Sequence, residues 1–358
     1  MVLTSRSHFF PLFGCGMRSE RKFGNTIYQC SLEPLRYLQR QIQRSMPDDF
    51  QYISILPIIE IDDWDVADEP LGGSRAKNTV IDPETETTFV FKEPKAHREA
   101  QIWSELLASF IAGDLLGWPV QHVSLGRRGD RLGNLMQYIY DDGSETFTEG
   151  WQLCRGIDPD YDIERGYRHT LALLMSVGAD LERRGLPQGD YYQFWGRAFA
   201  LDALISNSDR HAENWAVVEK AAGLRMAPLY DNATSMGCEW SDESLERRWF
   251  TDRGVIQSSK LKSYVDNGRN HVRAGEPSRR GSPFTEVCEA FLAQRPEQSH
   301  VFATVADLDL QPVFTLMAEI VDIEGLEAPF CMSQERRRQI EALLKKGQER
   351  IKNILDKE

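Results

Sequence analysis

Over the first 140 residues, hydrophobic positions fall in short runs separated by turn-forming residues, a pattern typical of β-strands. The runs predict strands at residues 53–61, 79–81, 87–91, 120–125 and 132–140. Two stretches differ, because residues 32–45 and residues 96–116 repeat apolar side chains at helical spacing. This part of the chain is therefore expected to contain strands and one long helix, after a shorter helix near the beginning.

Beyond residue 141 the apolar positions recur every three or four residues, which indicates helices. Helices are predicted at residues 161–184, 191–205 and 334–355. Ser333 is placed to cap the last of them. A short hairpin of residues 215–218 and 224–228 follows the second helix. Residues 258–282 are rich in Gly, Arg and Ser, and a surface loop is expected there.

This change of pattern predicts an α+β protein with two lobes. An N-terminal extension would occupy residues 1–50, a strand-rich lobe residues 51–140 and a helical lobe residues 141–358. The hinge between the lobes is expected near residues 138–144. With 358 residues, of which 41% are hydrophobic, the chain can bury a sizeable core.

The composition indicates which binding partners and which cellular compartment are expected. The formal net charge of −13 repels phosphate backbones, so nucleic acid is not expected as a direct ligand. The absence of a long apolar run argues against a membrane span, and residues 9–17 lack the features of a secretory signal. The six cysteines form no Cys-x-x-Cys pair, which favours a reducing cytoplasm over a disulfide framework or a zinc site.

The most specific chemical signal is Asp209, followed by Asn214 and, after the predicted hairpin, by Asp231. Each residue type is also common in turns, so the Asp-to-Asn spacing alone is weak. The preceding helix and the returning hairpin make it specific, because they bring Asp231 back beside Asn214. Their oxygens suit magnesium, and in kinases this order supplies an acceptor-orienting Asp and two metal ligands. We therefore predict a phosphotransfer site for ATP and Mg²⁺, with Asp209 at the acceptor.

His211 lies inside the same loop and is open to three interpretations. It could be a metal ligand, a general base or a structural residue. No other histidine is near it in the sequence, and a lone histidine is more often structural. We expect His211 to brace the loop by hydrogen bonds.

A kinase site also needs a cation for the phosphates, and Lys92 ends an apolar strand. A lysine there is costly to bury unless it is paired, so an acid on the following helix is expected to pair with it. Glu105, in mid-helix, is favoured over Glu99, which lies at the helix start and can serve the dipole. An edge-strand lysine that reaches solvent is the alternative.

Two further segments are candidates for the nucleotide site. Gly72, Gly73 and Ser74 precede the Lys92 strand, and small residues let backbone amides approach phosphate oxygens. The pattern matches neither common phosphate-loop motif, so an ordinary turn is the alternative. Adenine is expected at the end of the 132–140 strand, beside the backbone of Gln137 and Tyr138.

Together these segments resemble the HipA-like kinases, a bacterial serine/threonine kinase family of protein-kinase-like fold. The resemblance rests on GGSRAKNTV, FVFKEP, SELLASFIAGDLLGWPV, FALDALISNSDRHAENWAVV and MAPLYDNATSMG. It implies Asp209 as the catalytic Asp, Asn214 and Asp231 as magnesium ligands, and Lys92 as the ATP-phosphate lysine. It also implies self-phosphorylation at Ser74, which in some members switches activity off, and a possible regulatory or antitoxin partner.

The chain departs from the long toxin form of that family in its first fifty residues, which do not resemble a full N-terminal subdomain. The favoured function is a kinase that transfers the ATP γ-phosphate to Ser or Thr of a protein, including itself. The loop is also similar to that of phosphatidylinositol 3/4-kinases, so a lipid or small alcohol is the alternative acceptor. The basic residues of 269–280 would then face the site. The third hypothesis is a nucleotide-binding protein without catalytic activity.

Overall fold

The computed structural model describes residues 58–357 apart from residues 68–76, 142, 322, 324, 325, 327 and 328. Every described residue belongs to one compact unit of the chain. The predicted helix at residues 32–45 lies outside the described residues. So do Gly72, Gly73 and Ser74.

Six strands form one mixed sheet in the first part of the described chain. They are β1 (Ile59–Glu60), β2 (Asp65–Ala67), β3 (Lys77–Ile81), β4 (Thr88–Lys92), β5 (Val123–Arg128) and β6 (Arg131–Gln137). Their spatial order is β1-β5-β6-β4-β3-β2, and the β1–β5 pair is parallel while the others are antiparallel. Strand β4 lies between β3 and β6, so its apolar run is buried on the way to Lys92.

The rest of the described chain is mostly helical. Helix α1 (Gln101–Ser109) and the π-helical turn Phe110–Leu115 lie between β4 and β5. Then follow β7 (Thr146–Glu149), α2 (Gly150–Ile157), α3 (Leu171–Arg183), α4 (Asp190–Ile205), β8 (Ala216–Lys220), β9 (Gly223–Met226), α5 (Asp242–Trp249), α6 (Ser258–Asn267), α7 (Phe284–Gln294), a 3-10 turn (Pro296–Gln298), α8 (Ser299–Ala306), α9 (Gln311–Val321) and α10 (Gln334–Leu355). Strands β7, β8 and β9 form a small antiparallel sheet. The α+β class predicted from the sequence is confirmed.

Helix α4 is the central helix of this part, and nearly all of its side chains are buried. It packs against α7, α8 and α10, which cover it on several sides. A helix that is apolar all round belongs in a core, so its ends are fixed in position. The loop that carries Asp209 begins at the C-terminal end of this helix.

Two predicted helices begin later than expected. The helix predicted from residue 96 begins at Gln101, because two short turns precede it at residues 96–97 and 99–100, and His97 has a φ of 64°. The helix predicted from residue 161 begins at Leu171. Thr170 caps it by accepting a hydrogen bond from the Leu173 N–H at 3.2 Å.

The predicted surface loop at residues 258–282 is wrong in its first part, where Ser258–Asn267 forms helix α6. Most of this helix is polar, and its apolar contacts come from Leu261 and Val265, which are one turn apart and buried. By contrast, helix α10 and its cap are confirmed. The Ser333 hydroxyl accepts the Arg336 N–H at 3.1 Å.

Helix α10 approaches α4 closely at Gly347, where a Cβ atom would lie 2.0 Å from the Leu204 carbonyl oxygen. The two helices must therefore shift to admit a methyl group, and we expect Gly347→Ala to lower the free energy of unfolding by about 1–3 kcal/mol. Gly156→Ala is the matched control, because Gly156 is helical and exposed and nothing lies within 4 Å of its Cβ position. Urea unfolding compares them, and equal losses would contradict this packing.

Three described cysteines, Cys154, Cys238 and Cys288, are buried. Burial raises the pKa of the Cys154 and Cys238 thiols to about 12, so both stay protonated and behave as small apolar side chains.

Within the described ranges no single helix has the length and apolar composition of a membrane span. The helical segments Pro296–Ala306 and Gln311–Val321, which are joined by a bend of 50°, reach that length and composition only when they are taken together.

Candidate active site

The loop that carries Asp209 is fixed to the last turn of helix α4. Ser206 ends the helix in the left-handed conformation, with a φ of 56°. The Asn207 side-chain amide then donates to Asp202 Oδ1 at 2.9 Å, and Asn207 Oδ1 accepts the Asp209 N–H at 3.2 Å. A core helix thus sets the backbone position of Asp209.

Arg210 is completely buried and ties the loop to the segment after strand β9. Its guanidinium pairs with Asp202 at 2.6 Å and donates to Asn232 Oδ1 at 2.7 Å. Its Nη1 donates to the carbonyl oxygens of Tyr230 at 3.1 Å and Asn214 at 3.5 Å. Tyr230 and Asn232 flank the second predicted metal ligand, so one side chain holds both ligand-bearing segments together. Sequence reasoning missed this role, because an arginine in a loop gives no sign of burial.

Asp209 is held by contacts on two sides. Its Oδ2 accepts a hydrogen bond from the Thr234 hydroxyl at 3.2 Å. Asn214 Nδ2 donates to the Asp209 backbone carbonyl at 2.6 Å, and Asn214 Oδ1 is the side-chain atom with lone pairs for a metal ion. Two residues that the sequence predicted to act together are therefore in direct contact. Thr234 was not predicted, since a threonine in a loop is ordinary.

Asp231 lies after strand β9 with a φ of 52°, a left-handed conformation that is uncommon for a residue with a side chain. Its Oδ1 accepts a hydrogen bond from Lys92 Nζ at 2.8 Å. The Lys92 side chain is 8% exposed and that of Asp231 29%, so the ion pair is partly shielded from water. The predicted phosphate cation and the predicted metal ligand thus meet. Backbone strain of this kind persists where surrounding contacts hold it, often at functional sites.

Glu105, on helix α1, is buried and accepts the Asn232 N–H through Oε1 at 2.7 Å. This bond ties α1 to the turn that contains Asp231. The ion pair that Lys92 makes here is with Asp231, so its pairing with Glu105 stays a prediction. Glu99 accepts the His97 N–H at 3.0 Å, at the turn where the helix was expected to start.

Gln137 ends strand β6, and Tyr138 follows it, at the place predicted for adenine. The Gln137 N–H donates to the His122 carbonyl at 3.1 Å, and the Gln137 carbonyl accepts from Gln121 Nε2 at 2.9 Å. The Tyr138 N–H donates to the Thr88 carbonyl at 3.1 Å. Adenine could use the two N–H groups only by displacing a bond within the protein, whereas the Gln137 carbonyl keeps a second lone pair. The predicted contact therefore stays a prediction.

Three histidines meet beside the loop. The rings of His211 and His271 have centroids 5.8 Å apart, and those of His271 and His169 are 5.7 Å apart. His211 Nδ1 accepts the Glu213 N–H at 3.2 Å, a contact of the kind expected of a bracing residue. Burial, and then the nearby charge of Arg273, lowers the pKa of His271 to about 3. Burial also lowers the pKa of His169 well below 6.5.

The low pKa of His271 predicts a loss of stability in acid. Its contribution is fully present above about pH 6.5, the ordinary value of histidine, and is lost as the pH falls towards 3, because the unfolded chain binds the proton. The stability advantage of wild type over His271→Gln should therefore shrink between pH 7 and pH 4. Urea unfolding across this range measures it, and an advantage independent of pH would contradict the assignment.

The other basic residues of the predicted surface loop lie in different environments. Arg273 is buried and donates to the Ser278 carbonyl at 3.0 Å. This differs from the exposure that a surface loop predicts. Arg269 donates to the Gly281 carbonyl at 3.0 Å and remains exposed. Arg279 and Arg280 are also exposed.

The residues at the predicted magnesium site fit that ion. Asp231 and Asn214 offer a carboxylate and an amide oxygen, which are hard donors. The Lys92 ammonium at the Asp231 carboxylate shows that this position accommodates a cation. Within the part of the chain that the structure describes, no group of three or more His, Cys, Asp or Glu could hold a metal by itself. Asp231 and Asn214 would supply two donors, and magnesium commonly completes its shell with phosphates and water.

Comparison with known proteins gives a family and two similar folds. A sequence model of the HipA-like C-terminal domain matches residues 70–291. The Helicobacter pylori proinflammatory kinase CtkA is similar with a TM-score of 0.61 and 15% identity, over 84% of this chain and 97% of that chain. HipA of Shewanella oneidensis MR-1, from a toxin–antitoxin complex with HipB and operator DNA, gives a TM-score of 0.52 and 13% identity, over 93% of this chain and 76% of that chain. No curated protein sequence matches. At these identities the structural likeness concerns the fold.

Proposed function

The chain belongs to the family of proteins with a HipA-like C-terminal domain and has a kinase-like fold, and on that premise we propose that it is an ATP- and magnesium-dependent protein kinase. It would transfer the γ-phosphate to a Ser or Thr hydroxyl. The observation that carries the proposal is the Lys92–Asp231 ion pair of 2.8 Å, beside the joined Asp209 and Asn214. A phosphate cation, metal-binding oxygens and an acceptor carboxylate are the parts that kinases combine.

In this mechanism the side chains position the reactants and stabilise charge. Lys92 would bind phosphate oxygens of the nucleotide. Asp231 and Asn214 would hold magnesium, which neutralises charge on the phosphates. Asp209 would orient the acceptor hydroxyl and take its proton, as the hydroxyl oxygen bonds to the γ-phosphorus and the bond to the ADP oxygen breaks. Thr234 would keep the Asp209 carboxylate in place.

Mass spectrometry after incubation with ATP, magnesium and a panel of generic Ser/Thr acceptor proteins tests the proposal. A mass gain of phosphate on an acceptor or on the protein itself is expected with wild type and not with Asp231→Asn. Calorimetry with ATP runs in parallel. Tight ATP binding without any phosphate transfer over hours would sink the kinase assignment and favour a non-catalytic nucleotide-binding protein.

Self-phosphorylation at Ser74 is part of the proposal and is supported by the family resemblance. Peptide mapping of the protein after incubation with ATP should show phosphate on Ser74. If this modification switches activity off, Ser74→Ala should keep its initial rate of transfer while wild type slows with time. Phosphate confined to other residues would contradict this assignment without affecting the kinase proposal.

A protein regulator of the antitoxin type is the proposed partner, because the Shewanella oneidensis structure joins HipA to HipB and operator DNA. With a net charge of −13, this chain would reach DNA through such a partner rather than directly. The proposed setting is the cytoplasm, where ATP and magnesium are available.

A further inference from the structure

A cavity of about 790 Å³ opens beside the start of the loop that carries Asp209. Ser206 and Ser208 lie on its wall, and Ser208 directly precedes Asp209. The Ser208 N–H donates to the carbonyl of Thr234 at 3.4 Å, and the Thr234 hydroxyl holds the Asp209 carboxylate. The cavity wall is therefore linked through one residue to the group that would face the acceptor. Its volume lies in the range of about 300–1,000 Å³ typical of ligand sites.

The charge of this cavity is opposite to that of the whole chain. Its basic side chains are Arg247, Arg248, Lys260 and Arg269, and its acidic side chain is Glu239. Of the four cations, Arg247 alone makes an ion pair among the described residues, with an exposed glutamate at 3.4 Å. An exposed pair of this kind contributes little, so all four cations can engage a ligand. In a protein of net charge −13, such a patch focuses a positive potential that attracts anionic groups.

The uncharged part of the cavity suits a peptide. Trp240, Trp249 and Tyr264 form an aromatic cluster, with ring centroids 5.1 to 5.3 Å apart. Trp249 is buried, whereas Trp240 and Tyr264 are half-buried and line the cavity. An apolar surface therefore lies beside the basic side chains, and it can pack against the side chains of an extended peptide.

We propose that this cavity is the subsite that docks an acidic segment of the acceptor protein, next to its target Ser or Thr. The inference rests on the proposed kinase function and names its substrate class. Asp and Glu side chains of the acceptor would pair with Arg248 and Lys260, and the peptide chain would lie along the aromatic cluster. The target hydroxyl would then reach Asp209 over the Ser208 wall.

Two Ser-containing peptides of equal length, with Glu or Lys around the Ser, are the probes. Fluorescence anisotropy measures their binding to full-length Asp209→Asn protein, so the result does not depend on catalysis. The Glu peptide should bind at least about tenfold more tightly than the Lys peptide, with an affinity that falls as salt rises. If the kinase is active, wild type should show the same preference in kcat/KM for the two peptides.

Reversing the charge of two cavity residues tests whether the peptide binds in the cavity. When Arg248→Glu and Lys260→Glu are added to the Asp209→Asn protein, the binding preference for the Glu peptide should disappear or invert. When the same two changes are made in the active enzyme, the decrease in kcat/KM for the Glu peptide should come from a higher KM. The matched control is Arg279→Glu/Arg280→Glu, which reverses two exposed arginines outside the cavity and should keep the preference. Equal binding of the two peptides would overturn the inference. So would a preference unaffected by the cavity reversal, or binding of phosphoinositide vesicles in place of either peptide. Failure of phosphate transfer with the binding preference intact would overturn the kinase proposal instead.

Discussion

Replacing Asp209 by Asn is expected to reduce phosphate transfer by about 10²- to 10⁴-fold while ATP binding is retained. The amide keeps the shape of the side chain and can still accept the hydrogen bond from the Thr234 hydroxyl. It cannot take the proton of an acceptor hydroxyl. Because Lys92, Asn214 and Asp231 are unchanged, the nucleotide and its metal should bind as before. Transfer of labelled phosphate gives the rate, and calorimetry gives the affinity for ATP.

Asp252→Asn is the control for this experiment, because Asp252 is an exposed carboxylate outside the site. That variant should match wild type in both measurements. An Asp209→Asn protein that kept more than about a tenth of the wild-type rate would show that another group orients the acceptor, since a lost general base typically costs at least a hundredfold.

Replacing Arg210 by Met is expected to lower the free energy of unfolding by about 3–5 kcal/mol, because it leaves the buried Asp202 carboxylate without its cationic partner. It also removes the donor that holds Tyr230 and Asn214. Phosphate transfer should therefore fall further than the folded fraction does. Urea unfolding and the transfer rate at a temperature where the variant is folded measure the two effects.

Two variants control for this change. Arg183→Met removes an exposed arginine that pairs with Asp180 at 3.0 Å, and it should cost no more than about 1 kcal/mol. Asp202→Asn in the Arg210→Met background removes the unpaired charge and should recover part of the lost stability without restoring transfer. A loss in Arg210→Met no larger than in Arg183→Met would contradict the organising role of Arg210.

Much of the fold follows from local pattern. Strand β4 and helix α10 are confirmed, because a continuous apolar run and a long amphipathic repeat are strong signals. Helix α6 was missed because its burial depends on Leu261 and Val265 within a polar stretch. The late starts of two helices depend on the positive φ of His97 and on the Thr170 cap, and the apolar spacing reports neither of them.

The candidate site also contains residues that the sequence pattern could predict and residues that it could not. Asp209, Asn214 and Asp231 could be placed together because a short hairpin must return the chain. The Lys92–Asp231 ion pair spans 139 residues, and spacing along the chain cannot predict such a contact. Arg210 and Thr234 act through burial and hydrogen bonds, which no local pattern reports.

We propose that one phosphotransfer site is formed by Lys92, Asp209, Asn214 and Asp231. Transfer of the γ-phosphate from labelled ATP to protein, with and without magnesium, tests it most directly when wild type is compared with Asp209→Asn and Asp231→Asn. We expect transfer to Ser or Thr by wild type, a strict need for magnesium, and loss of transfer in both variants. Transfer that persists in both variants would contradict it.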